Sequence, residues 1–171
     1  MKKLIILMGN IGAGKTTISK ALVKKGFVYS GIDYFYTKAK RDLKIKEWYT
    51  DEKYCNQAYS LMLDAVKNNI IKKNVIVEST GASKHAINMF KKINQIPDIK
   101  IYRFLIKVPI RVLKERIKIR NASSWKVKNT MSQLPITAKL IKELKPEIDF
   151  TINGDQDTNK IISKIIKIVN N

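Results

Sequence analysis

The sequence predicts an α/β domain of three layers, α/β/α, with helices on both faces of a five-stranded parallel sheet. Three observations predict it. Segments of strand and helix character alternate along the chain. The first strand candidate is a near-continuous apolar run, as in strands buried on both faces. The 171 residues suit one domain, 1–171, because no repeat, low-complexity tract or long linker divides them.

The first strand is predicted over 3–8. Its basic start and apolar run are shared with secretory leaders, but the run is short and leads straight into glycines. A helix over 15–25 follows, with Ile18, Ala21 and Leu22 on one face and Gly26 ending it. A short strand over 27–32 leads to Asp33. Residues 34–49, aromatic and basic, read as helical. Thr50 is a candidate cap for a helix over 51–69, with Tyr54, Ala58, Leu61, Ala65 and Val66 near one stripe.

Residues 74–79 are the clearest central strand, and Ser83 is placed to cap a helix through Ile93. Another strand, 100–108, lies between Pro97 and Pro109, and Pro109 suits the first turn of a helix through Arg120. Residues 121–133 are polar and form a candidate lid. A short helix is expected from Pro135 to Pro146. A last strand over 149–153 turns at Gly154. Asp157 then caps a terminal helix whose Ile161, Ile162, Ile165, Ile166 and Val169 face inward.

Composition bounds the function. The chain is 44% apolar and 28% charged, the balance of a globular domain. Its single cysteine, Cys55, excludes an internal disulfide and a multi-cysteine metal site, and argues against a disulfide-linked partner. No apolar run approaches the ~18 residues of a membrane span. A cytoplasmic location without membrane contact is expected. The net charge of +20, from 34 Lys and Arg against 14 Asp and Glu, has two readings. One is a nucleic-acid partner, whose phosphates exchange counterions for lysines. The other is compositional bias, with lysines spread over solvated faces.

The sharpest signal is Gly9-Asn10-Ile11-Gly12-Ala13-Gly14-Lys15-Thr16, a full match to G-x-x-x-x-G-K-[ST] between an apolar strand and an amphipathic helix. Glycines let backbone N–H groups close around phosphate oxygens. A helix N-terminus favours the anion further. Lys15 can reach the β- and γ-phosphates, and the Thr16 hydroxyl can ligate Mg²⁺. These eight residues and Thr17 are the candidate ATP site.

With this loop the chain resembles a P-loop kinase. The string from Gly9 to Thr17 is similar to the loop of deoxynucleoside kinases. Over most of its length the chain resembles the compact family that includes the 5′-kinase domain of phage polynucleotide kinases and the zeta-toxin kinases. The resemblance implies a P-loop NTPase fold of the nucleoside-monophosphate-kinase kind with a lid, and ATP and Mg²⁺ as cofactors.

Asp33 lies eighteen residues after Lys15, at the predicted end of the second strand. Strand ends in a parallel sheet face the ligand. A carboxylate there can orient an acceptor hydroxyl and take its proton. The polynucleotide-kinase resemblance implies that role for Asp33; a turn or cap aspartate is the other reading. The arginine which that family carries shortly after is missing, since Tyr34-Phe35-Tyr36-Thr37 follow and the nearest arginine is Arg41. Glu78, ending its strand, is a candidate metal-side acid with Thr16, or a carboxylate bonded to the backbone near the loop.

Of five arginines, Arg111, Arg116 and Arg120 share one predicted helix, and Arg116 and Arg120 are one turn apart. The resemblance implies arginines over the transferring phosphate, which the planar guanidinium suits. Arg116 and Arg120 are the candidates; a solvated face paired with Glu115 is the alternative. Lys126 and Lys128 in the lid could contribute, and Trp125 could stack on adenine. The aromatic residues Tyr34, Phe35, Tyr36, Trp48, Tyr49, Tyr54 and Tyr59 offer a base-stacking platform or core packing. His85 reads as a surface histidine rather than a base, and Cys55 as a helix residue rather than a nucleophile.

The expected function is an ATP- and Mg²⁺-dependent kinase acting on a hydroxyl, foremost the 5′-hydroxyl of RNA or DNA. A nucleoside or other small-metabolite kinase is the first alternative, and a non-catalytic nucleotide-binding regulator the second. A guanine-selecting Asn-Lys-x-Asp string is absent from the sequence, which argues against a GTPase switch.

Overall fold

Strand β1 (Lys2–Gly9) is the axis of the structure, a computed structural model describing residues 1–43, 52–122 and 131–171. Leu4 to Met8 are wholly buried. Successive strand side chains point to opposite faces. Leu4, Ile6 and Met8 therefore enter one core, and Ile5 and Leu7 the other. Each fully buried aliphatic side chain contributes about 1.5–3 kcal/mol, so this strand anchors both layers.

The remaining elements are α1 (Lys15–Val23), β2 (Val28–Gly31), α2 (Ile32–Leu43), α3 (Glu52–Ile70), β3 (Val75–Glu78), α4 (Lys84–Ile93), β4 (Ile99–Lys107), α5 (Ile110–Ala122), α6 (Gln133–Leu144), β5 (Phe150–Asn153) and α7 (Thr158–Asn170). The five strands are all parallel, in the order β2-β3-β1-β4-β5. Helices α2, α3 and α4 pack on one face. Helices α1, α5, α6 and α7 pack on the other. This is the three-layer arrangement read from the sequence. The chain lays β2 and β3 on one side of β1 and then crosses to place β4 and β5 on the other. The carboxyl end of β1 therefore opens at the switch point, where parallel sheets bind ligands.

The structure moves several expected boundaries. Helix α1 ends at Val23, and Gly26 N–H closes a turn onto Val23 O at 3.0 Å. The second strand stops at Gly31 instead of reaching Ile32, so Asp33 sits in the first turn of α2. An apolar residue followed by an acid suits either a strand end or a helix start, since an acid is also favoured in a first turn. Helix α6 starts before Pro135, which occupies its third position; first-turn N–H groups have no intrahelical partner, so proline is tolerated there. Of the expected lid over 121–133, Asn121 and Ala122 belong to α5 and Gln133 to α6. Residues 123–130, with Trp125, Lys126 and Lys128, lie outside the described residues, as do Trp48, Tyr49 and Thr50.

Both described caps form. Ser83 Oγ accepts from Ala86 N–H at 3.1 Å. Asp157 Oδ1 accepts from Asn159 and Lys160 N–H at 2.9 and 3.2 Å, seating α7 so that Ile161, Ile165 and Val169 are buried. Among the described residues no helix is long and apolar enough to cross a membrane. Asp157→Ala is expected to lower stability by about 1 kcal/mol. A urea titration would show this as a lower midpoint with an unchanged slope.

Candidate active site

Between β1 and α1 the loop is shaped by its glycines. A Cβ on Gly9 would stand 2.6 Å from the Ile106 carbonyl oxygen of β4, and Gly14 has φ 88°, which L side chains resist. The first helical bond of α1 runs from Ile18 N–H to Gly14 O at 3.1 Å. The N–H groups before it precede the intrahelical ladder, the position at which helix N-termini bind anions. Asn10 braces the loop: its Oδ1 accepts from Ile11 N–H at 2.8 Å, and its Nδ2 donates to Leu134 O of α6 at 2.9 Å. Lys15 is buried, and its Nζ donates to the Gly9 and Asn10 carbonyls at 3.0 and 3.1 Å. Burial lowers its pKa, and the charges of Glu78 and Asp33 oppose that shift.

Opposite Lys15, at the end of β3, Glu78 is 7% exposed. A buried carboxylate is costly unless donors replace its water. Three hydroxyls do so here. Thr16 Oγ1 donates to Oε1 at 2.7 Å, while Tyr29 OH and Ser19 Oγ donate to Oε2 at 2.8 and 3.3 Å. These described partners are side-chain hydroxyls, not the backbone near the loop. Thr16 and Glu78 thus juxtapose two hard oxygen donors at the head of α1. Among the described residues no cluster of three or more His, Cys, Asp or Glu forms a protein-only metal cage. That donor set fits Mg²⁺, which keeps water and phosphate oxygens in its shell and takes few protein ligands.

Asp33 is solvent-accessible on α2. The protein around it still removes part of its water, and this raises its carboxyl pKa. The negative Glu78 adds to the rise, and Lys15 and Arg120 offset it. Asp33 and Lys15 therefore each feel the other's charge and those of Glu78 and Arg120. The three arginines of α5 are placed differently. Arg116, half-buried, donates to Gly154 O at 3.0 Å, and its guanidinium lies 3.9 Å from where a Cβ on Gly14 would stand. That placement is not the solvated pairing with Glu115. Of the others, Arg103 is held by Asp149 and Glu147, each at 3.2 Å, Arg41 lies beside Asp42, and Arg111 is exposed.

Sequence reasoning missed Ser19 and Tyr29. Ser19 stands one turn after Thr16, on the same helix face, which was the available signal. The aromatic residues are mostly core: Phe35, Tyr54 and Tyr59 are buried, Tyr36 stacks on Tyr54 at 5.2 Å, and only Tyr34 among those described is largely exposed, at 66%. His85 is half-buried, stacked on Tyr59 and bonded through Nδ1 to Asn56 Oδ1 at 2.9 Å. Cys55 is buried on α3.

The AAA_18 family, described as an AAA domain, matches residues 5–134. The chain belongs to this family. Among solved structures, this AAA domain is similar to a sugar kinase from Janibacter sp. HTCC2649, with TM-score 0.68 and 16% identity over 98% of this chain and 94% of that one. It is similar to shikimate kinase from Acinetobacter baumannii, with TM-score 0.66 and 19% identity over 99% and 93%. It also matches the Pnkp1/Rnl/Hen1 RNA repair complex, with TM-score 0.66 and 21% identity over 87% of this chain and 47% of that one. At these identities the likeness shows the fold, an α/β P-loop kinase-like fold. No protein of curated function matches the sequence.

The shifted carboxyl of Asp33 gives this AAA domain a pH signature. Its proton is held more tightly in the folded than in the unfolded chain. Stability therefore falls as pH rises from the ordinary aspartate value, 3.8, through the raised native value. Asp33→Asn is expected to raise the thermal midpoint of the nucleotide-free protein at pH 7. The gain should vanish below pH 3.8, where both states are protonated; melting curves across that range check it.

Proposed function

We propose that the chain is a cytoplasmic kinase of one domain, residues 1–171, that transfers the γ-phosphate of ATP to a hydroxyl in a Mg²⁺-dependent reaction. The acceptor proposed is the 5′-hydroxyl of a polynucleotide. The observation that carries the kinase reading is the convergence of a phosphate-binding loop, the Thr16–Glu78 oxygen pair and Asp33 at the carboxyl ends of adjoining strands. The polynucleotide acceptor is supported by the charge of +20 and by the exposed Tyr34 ring next to Asp33. The likeness to the RNA repair complex agrees with it.

In this mechanism the backbone from Gly9 to Thr17 and the Lys15 ammonium grip the triphosphate. Thr16 and Glu78 would hold Mg²⁺, which would supply charge neutralisation to the triphosphate. Asp33 orients the acceptor hydroxyl. As the acceptor oxygen bonds to the γ-phosphorus and the bond to the β–γ bridging oxygen breaks, Asp33 takes the hydroxyl proton and ADP departs. Its raised pKa suits it as a base. Arg120 and Arg116 neutralise charge on the transferring group.

A small hydroxylated metabolite is the second reading, favoured by the likeness to sugar and shikimate kinases and by the missing arginine after Asp33. A nucleotide-binding regulator is the third; it would bind ATP and label no acceptor.

Calorimetric ATP binding and a transfer assay with γ-labelled ATP test the reading against a panel of oligonucleotides, nucleosides and sugars. Lys15→Ala is expected to remove nucleotide-dependent turnover. Asp33→Asn should keep ATP binding and lose transfer by roughly 10²–10⁴-fold. Full transfer in both variants sinks the mechanism. Salt separates the acceptors: oligonucleotide binding should weaken steeply between 50 and 200 mM salt, on the order of 10³-fold if about six phosphates are contacted, and a neutral metabolite should respond little.

A further inference from the structure

Tyr29 belongs to no motif, yet it reaches the carboxylate at the centre of the site. Strands β2 and β3 run in register with Gly31 opposite Glu78 and Tyr29 opposite Ile76. To meet Glu78 the tyrosine ring must lean along its strand, across residue 31. It has room because that residue is glycine: a Cβ there would overlap the Tyr29 hydroxyl and ring. Gly31 is not in a left-handed conformation, so space and not backbone torsion makes glycine fit here.

The result is a sorted carboxylate. Oε2 accepts from Tyr29 OH at 2.8 Å and from Ser19 Oγ at 3.3 Å, while Oε1 accepts from Thr16 Oγ1 at 2.7 Å. The terminal torsion of a glutamate is broad and roughly two-fold, so intrinsic preference alone leaves the plane of the carboxylate loose. A donor fixed on one oxygen determines where the other points. The Tyr29 ring is 38% exposed, so its place is not explained by core packing.

We propose that Tyr29 is a positioning residue: its phenol holds Glu78 Oε2 so that Oε1 faces Thr16 and the metal-bound nucleotide. The inference rests on the kinase reading above and adds to it a residue on the edge strand. Groups that orient a metal's ligands typically change metal affinity about 10–100-fold when removed.

The test is binding of a non-hydrolysable ATP analogue by calorimetry, without metal and across a Mg²⁺ titration, beside the thermal midpoint of each protein. Tyr29→Phe keeps the ring and deletes the donor. It is expected to leave metal-free analogue affinity unchanged and to raise the Mg²⁺ concentration for half-maximal enhancement about tenfold. Gly31→Ala, which pushes the ring from its seat, should reproduce the shift; if it does not fold, Tyr29→Phe decides alone. A wild-type Mg²⁺ titration in Tyr29→Phe overturns the inference and leaves the kinase reading standing. An equal loss of metal-free affinity also overturns it, because the role would then be general. Failure of the wild-type protein to bind the analogue at all overturns the kinase reading itself.

Discussion

A carboxylate removed from water has to be given hydrogen-bond donors, and that requirement organises the ligand-facing end of this molecule. Glu78 takes its donors from α1, through Thr16 and Ser19, and from β2, through Tyr29. Those bonds fasten the first turns of α1 to the two strands on one side of β1. Lys15 stands on the same turn, with its ammonium returned to the loop carbonyls. A buried cation and a buried anion thus share one end of an otherwise dry sheet. Such polar groups raise stability little by themselves, and removing one partner strands the other.

The parts of this arrangement written in local sequence were legible. Glycine spacing, the lysine and the threonine are dictated by phosphate geometry over eight consecutive residues. Caps at Ser83 and Asp157 follow from the same short-range logic. Glu78 was legible because an acid ending an apolar run in an α/β chain has few other reasons to be there. Asp33 was legible in position, but its element was not: a β-branched isoleucine before it reads as strand, and the chain turns helical directly after Gly31.

What the sequence withheld is tertiary convergence. Nothing local says that a serine on α1 and a tyrosine on β2 arrive at one carboxylate. Likewise the four-residue spacing of Arg116 and Arg120 puts them on one face, but not on one partner. In the fold Arg116 is taken up by the Gly154 carbonyl, while the charge of Arg120 acts on Lys15 and Asp33. The tyrosines show the same limit. Composition made them look like a binding platform, and the packing of α2 on α3 draws most of the described ones into the apolar layer.

The amide of Asn10 ties the glycine-rich turn to the opening of α6, at the Leu134 carbonyl. A hydrogen bond of this kind tolerates only a few tenths of an ångström before it weakens. Anyone exchanging the stretch that joins α5 to α6 inherits a dimensional tolerance. The incoming piece must deliver the helix to the same seat, or the turn beside it will be pulled out of shape.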